Sequence, residues 1–354
     1  MNIRTDLCRS IAFLLAAPGL LQAQESSLAV VGSVEAAPGE KRSGFIEIPN
    51  GVDEGTRIPV TVVRGAKPGP TLALIAGTHG YEYPPILALQ RVRAGLDAGD
   101  LSGTVILIHV ANVPSFLGRT IYYSPVDGKN LNRSYPGDPT GTVSERIAHA
   151  ITTEVIAQAD YVVDMHGGDG NEALRPYTYW TVTGNPELDE ASRQMALVFG
   201  LDHIVIDNAR PDRSGPSVYT DMTALKRGKP AITTETGGLG SVADTWVDLA
   251  ERGVWNLLRH LEMVDGAVEQ MAAVVWLERY EVVTSPATGM FRAAVREGYS
   301  VAEGGLLGTV TDLFGDETRE VKAPFAGVVN YVLGTPPVSE GEPLAMVSRI
   351  RESR

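Results

Sequence analysis

Three short stretches of the chain carry residues whose types and spacing could bind a metal ion and transfer a proton. In Gly77-Thr-His-Gly-Tyr-Glu, His79 and Glu82 stand three residues apart on a tight turn. A histidine and a carboxylate so spaced can converge on one cation, although H-x-x-E alone also arises by chance. Asp164-Met-His-Gly-Gly adds His166. Two histidines and a glutamate make a catalytic zinc set that leaves a fourth position open. The plainer alternative for His166 is a loop histidine held by Asp164; Asp164 either orients the ring from behind or points to the other face. In Thr234-Glu-Thr-Gly-Gly, Glu235 is followed by glycines that permit close approach, which suits a general base acting on a water beside a metal. A fourth stretch, D-G-K-N-L-N-R-S-Y-P-G at 127–137, presents Arg133 as a rigid fork for a substrate carboxylate, with Asn132 assisting. A bracing pair between Arg133 and Asp127 is the structural alternative.

The positions of these residues matter as much as their types. The apolar run at 71–76 reads as a buried strand, and 105–110, 161–164, 203–207 and 231–234 read as further strands. Helical stretches lie between them: 84–92, with Pro84 in the first turn; 143–159, opened by a Thr142/Glu145 capping box; 186–199; and 244 to beyond 260. This alternation predicts an α/β fold, a mixed, largely parallel sheet covered by helices on both faces. His79, His166 and Glu235 then all emerge at strand ends, the edge where open α/β sheets bind ligands. The catalytic domain is expected over 45–273. From 276 to 350 short strands alternate with Gly and Pro turns, predicting a small all-β accessory domain. Its 323–329 and 340–345 segments look like lipoyl- or biotinyl-type strands, but the flanks of Lys322 do not form a carrier hairpin.

Composition narrows the function further. The 354 residues are 44% hydrophobic and 21% charged, as in a globular protein, and the net charge of −13 argues against nucleic acid. Cys8 is the only cysteine, so a metal site in the mature chain must use histidine and carboxylate. Arg4 and Arg9 precede an apolar stretch that ends near Ala23, predicting a signal peptide at 1–23, a lead-in at 24–44 and export to the periplasm. A buried N-terminal helix is the alternative, and no later run is apolar enough to hold the mature chain in a membrane. His109, His149, His203 and His260 read as packed or surface residues. Asp169, Glu172 and Arg175 either line a pocket or are solvated loop charges; Tyr177, Tyr179 and Trp180 are pocket wall or core.

Taken in order, the four motifs resemble the succinylglutamate desuccinylase/aspartoacylase family, a branch of the zinc carboxypeptidase A-like fold, over about 58–261. The resemblance implies one Zn2+ per chain on His79, Glu82 and His166, with Glu235 as base and then proton donor. It implies that Asn132 and Arg133 hold the carboxylate of a small N-acyl amino acid, and that the β domain restricts access. The family also uses an arginine to polarise the scissile carbonyl. Arg119 is the nearest candidate, although the family pattern puts that residue closer to where this chain has Ile121 and Tyr122. Two rival functions stand: a periplasmic metallocarboxypeptidase acting on short or peptidoglycan peptides, and a non-catalytic binding protein on the same fold. Manganese, iron or cobalt could replace zinc. A serine hydrolase is disfavoured by the lack of a G-x-S-x-G elbow.

Overall fold

The computed structural model describes residues 28–208, 217–269, 271–316 and 318–352; the leader expected at 1–23 lies outside them. The frame of the site consists, in chain order, of β1 (Glu40–Ile48), β2 (Thr56–Arg64), β3 (Lys67–Ala76), α1 (Tyr83–Gly95), β4 (Ser102–Ile108), α2 (Val113–Gly118), α3 (Val143–Ala150), β5 (Tyr161–His166), β6 (Glu172–Leu174), β7 (Tyr177–Thr181), α4 (Pro186–Phe199), β8 (His203–Asp207), α5 (Thr220–Leu225), β9 (Ala231–Glu235), α6 (Asp244–His260), β10 (Val275–Thr284), β11 (Gly327–Leu333) and β12 (Pro343–Ile350). One sheet runs in the order β11-β12-β10-β8-β7-β9-β5-β3-β4-β2-β1. In it β3 is parallel to β4 and β5, β5 to β9, and β8 to both β7 and β10. Antiparallel joins occur at β1-β2-β4, at β7-β9 and beyond β10. The expected mixed sheet is therefore present, with its parallel joins confined to the stretch from β10 to β4.

Strand alternation sorts the side chains into two layers. Leu72 and Leu74 of β3 pack with Leu89 of α1, Phe199 of α4 and Val254 of α6. Ala73 and Ile75 face the other way, with Ile147 of α3 and Leu225 of α5. Because helices cover both faces, β3 is apolar over 72–76 and β4 over 105–108, which is why they read as unbroken runs. The alternation also puts Val162, Asp164 and His166 on the α3/α5 face, opposite Val163 and Met165.

Several elements differ from expectation. The helix expected over 143–159 is regular only to Ala150 and continues as a wider π turn, Ile151–Ile156. The long β1–β2 hairpin crosses the boundary drawn at 44/45, and β7 was not foreseen. The boundary drawn at 276 falls inside β10. That strand pairs through Val275–Leu277 with β8 and through its second half with β12, so the main sheet continues into the C-terminal β region. That region also holds a four-stranded sheet and its own core around Phe291, Leu307, Phe325 and Leu344. A further buried cluster, including Tyr177, Val205, Leu277, Tyr331 and Met346, joins the two parts. None of the described helices is long and apolar enough to cross a membrane.

Candidate metal centre and its cavity

Strand β3 ends at Ala76, and Gly77 turns the chain at φ +72°. A Cβ there would lie 2.9 Å from the Val110 Cα, so both the dihedral and the space call for glycine. The turn carries His79 and brings Glu82 to the N-cap of α1, where the helix dipole favours a carboxylate. Neighbouring β5 ends at His166. In the β5–β9 ladder Glu235 is the residue opposite His166. The two loops that follow are tied by hydrogen bonds from Thr236 N to His166 O (2.9 Å) and from Gly168 N to Gly237 O (2.8 Å). Gly167 makes this approach possible, since a Cβ would meet the Thr236 carbonyl oxygen at 2.3 Å.

His79, Glu82 and His166 are all buried, and one ligand atom from each lies within 4.8 Å of the others. The Nδ1 atoms of His79 and His166 face the Glu82 carboxylate at 2.7 and 3.1 Å. The far side of each ring is also held. His79 Nε2 lies 3.2 Å from Asn130 Oδ1, and His166 Nε2 lies 3.1 Å from Asp164 Oδ1. Asp164 is fully buried, and its Oδ1 has no conventional hydrogen-bond partner, leaving His166 as its cationic neighbour. With an oxygen behind each ring, the tautomer suited to a metal bound among the three carries its proton on Nε2 and presents the Nδ1 lone pair. Two lone pairs aimed at an anion fit a divalent cation held among the three. Zinc suits this set of two imidazoles and a carboxylate.

The electrostatics agree. Burial disfavours charged His166, yet Asp164 and Glu82 outweigh it and hold the ring well above its ordinary pKa. His79 is raised in the same way, chiefly by Glu82 against burial. Burial pushes Glu82 up, but the two histidines overcome this and hold it below the usual carboxylate range. The triad therefore seeks positive charge at its centre. Glu235 goes the other way: burial, then the carboxylates of Glu82, Glu172 and Asp164, push it well above the usual range against the opposing pull of His166.

A cavity of about 810 Å³ opens over the triad and is lined by Glu235, Asn132 and Arg133 as well. Asn132 is engaged with protein groups. Its Oδ1 accepts from Thr220 N (3.0 Å) and Oγ1 (3.2 Å), and its Nδ2 lies 3.2 Å from His166 Nε2 and 3.5 Å from Asp164 Oδ2. It braces the His166–Asp164 pair from the side. Arg133 is exposed; its Nη1 donates to Asn132 O at 2.7 Å, and its guanidinium stacks 4.5 Å over Tyr219. Asp127 does not pair with Arg133 but accepts from Ser144 N and Oγ, both at 3.0 Å, at the start of α3.

Arg119, expected to polarise the scissile carbonyl, is not brought to the cavity. It ends α2 in the left-handed region (φ 50°), with an exposed side chain. Tyr122, left-handed in turn (φ 57°), enters the cavity instead and sets its ring edge-on to His79 at 5.9 Å. Its backbone N–H donates to Asp169 Oδ2 (2.7 Å) and its hydroxyl to Asn171 Oδ1 (3.0 Å).

Other cavity residues were left undecided or missed in the sequence. Glu172 lines the wall, and burial pushes its carboxyl up to about 7, with Asp169 and Glu82 adding to the shift. Tyr177 and Tyr179 are wall residues, joined there by Tyr280, Tyr331 and Met346 from the C-terminal region. Alternation within the aromatic run 177–181 was the available signal for the first pair; nothing local marks the second group. Arg175 pairs instead with Asp202 at 2.7 Å, outside the cavity.

Residues 68–261 match the succinylglutamate desuccinylase/aspartoacylase catalytic domain. The chain belongs to this family. An N-alpha-acetyl-L-2,4-diaminobutyric acid deacetylase of Halomonas elongata is 32% identical over 321 residues, covering 88% of this chain and 92% of that protein. Among solved structures, the product-bound ectoine utilization protein EutE (DoeB) of Ruegeria pomeroyi is similar at a TM-score of 0.81 and 28% identity, covering 93% of this chain and 99% of that one. A succinylglutamate desuccinylase/aspartoacylase of Rhodobacter sphaeroides gives a TM-score of 0.79 at 27% identity, covering 88% and 96%. The similarity to these family members extends past the catalytic domain into the C-terminal β region.

Proposed function

We propose that this protein is a zinc-dependent amidohydrolase that releases the acyl group from a small N-acyl amino acid. The observation that carries the proposal is the pair of imidazoles with Nδ1 turned to Glu82 and Nε2 held from behind, beside Glu235 and Arg133 in one cavity. The name of the Halomonas elongata relative supports deacylation as the reaction. The cavity, walled partly by Tyr280, Tyr331 and Met346, is of a size that receives a small-molecule substrate.

Arg133 binds the substrate carboxylate, its plane preset by Tyr219 and by the Asn132 carbonyl. His79, Glu82 and His166 hold the metal, which when bound supplies Lewis-acid polarisation and lowers the pKa of water toward about 7. Glu235 takes a proton from the attacking water as the C–O bond forms. It then delivers that proton to the leaving nitrogen as the C–N bond breaks.

The test is Glu235→Gln. Zinc stoichiometry should persist while kcat for amine release from N-acyl amino acids falls by about 100-fold or more. Near wild-type turnover in this variant overturns the assignment of Glu235. Cleavage of short peptides alone by the wild type moves the protein to the carboxypeptidase reading. Absence of both activities leaves a binding protein.

A further inference from the structure

One carboxylate of the cavity has no role in the reaction described above. Glu172 lies on the short strand β6, antiparallel to β11, with Glu172 opposite Leu333 and Leu174 opposite Tyr331. Alternation along both strands turns these four side chains to one face, and all four line the cavity. Glu172 Oε2 accepts from Asp169 N at 3.1 Å. Among the described residues no lysine, arginine or histidine forms an ion pair with it. The cavity's own cations are occupied elsewhere: Lys129 pairs with Glu145 at 2.8 Å, and Arg133 is fixed on Asn132 and Tyr219. Glu172 is partly buried, and a carboxylate partly withdrawn from water without a counter-charge is stabilised by a ligand that supplies one.

We propose that Glu172 is a specificity determinant for a substrate whose side chain carries a protonated amine, received between this carboxylate and the tyrosine rings beside it. Two rings stand within its electrostatic reach, Tyr122 from the 119–123 turn and Tyr331 from β11. Aromatic faces attract an ammonium group, and a carboxylate accepts its N–H donors. The cavity is thus polarised. Arg133, on the 127–137 loop, takes the α-carboxylate, and Glu172, on the 167–174 segment, takes the side-chain cation. The substrate class is an Nα-acylated diamino acid with a free terminal amine. An acidic side chain entering the same place would meet Glu172 and be repelled. The inference rests on the deacylase reading and adds to it the residue that selects the side chain.

The experiment compares two substrates of nearly equal shape, Nα-acetyl-L-2,4-diaminobutyrate and Nα-acetyl-L-norvaline, which differ in having an ammonium or a methyl group at the end of the side chain. Wild-type enzyme should favour the cationic one in kcat/KM by about tenfold or more, as expected when a site built for a polar group meets an analogue lacking it. Glu172→Gln keeps the volume and an acceptor for Asp169 N, and should drive that preference ratio down by about 10- to 100-fold. An unchanged ratio in the variant overturns the proposal. Equal turnover of both substrates by the wild type overturns it without any variant, so a failure of Glu172→Gln to fold does not protect it. Hydrolysis of neither acetyl amino acid, with cleavage of short peptides, brings down the deacylase reading itself. Those outcomes are distinct.

Discussion

Asp164→Asn tests whether the geometry behind His166 matters for the metal. The wild-type carboxylate puts Oδ1 3.1 Å from His166 Nε2 and Oδ2 3.5 Å from Asn132 Nδ2. An asparagine has the same shape but only one acceptor end, and both orientations conflict with the site. With its oxygen toward His166, its NH2 faces the Asn132 NH2, donor against donor. With its NH2 toward His166, it claims the Nε2 lone pair and forces the ring proton to Nδ1, the atom that must ligate. Loss of such an orienting partner weakens metal affinity by about 10- to 100-fold, or about 1.4–2.7 kcal/mol.

The same figure can be read as stability. At a zinc concentration of about 100 times the wild-type Kd, metal stabilises the wild-type fold by about 2.7 kcal/mol. At that concentration the variant sits at only about 1–10 times its own Kd, and gains about 0.4–1.4 kcal/mol. Competition with a chromogenic chelator gives the affinities directly, and melting with and without zinc gives the increments. If Asp164→Asn binds zinc within about threefold of wild type while its apo form melts lower, Asp164 is a packing residue and the reasoning fails.

Two further expectations follow from other parts of the structure. Arg133→Ala should raise KM for N-acyl amino acids by about 10- to 100-fold with a much smaller change in kcat, because the guanidinium touches a part of the substrate that does not react; a loss confined to kcat refutes that role. Burial, with Arg93 nearby, lowers His109 from 6.5 to about 4. Between those values the unfolded chain binds a proton that the folded one excludes, so stability falls with decreasing pH by up to about 1.4 kcal/mol per unit. His109→Gln should flatten this acid limb in urea midpoints measured across that window, and an identical slope in both proteins refutes the assignment.

Much of the frame was legible because the central strands are covered on both faces. At 72–76 no polar residue occurs before the strand ends, so the change from apolar run to His79 marks the sheet edge directly. The β1–β2 hairpin escaped because its outer positions, such as Lys41, Arg42 and Glu47, meet solvent and break the run. Strand β7, aromatic and only five residues long, joins β9 in an antiparallel sense that a βα alternation does not suggest.

The site was readable where function resides in residue type at a strand end, and unreadable where it depends on backbone handedness or distant pairing. Arg119 and Tyr122 are three apart in one turn, and the family resemblance makes the arginine only the nearest candidate to face a carbonyl. Left-handed dihedrals at both positions decide the matter otherwise, and nothing in either residue type announces a positive φ. Likewise Tyr331 reaches the cavity because β11 pairs with both β12 and the three-residue β6, which sets it opposite Leu174 and across from Glu172. The pairing that joins residues 172–174 to 331–333 places a carboxylate that would otherwise be a loop charge in the wall of the cavity.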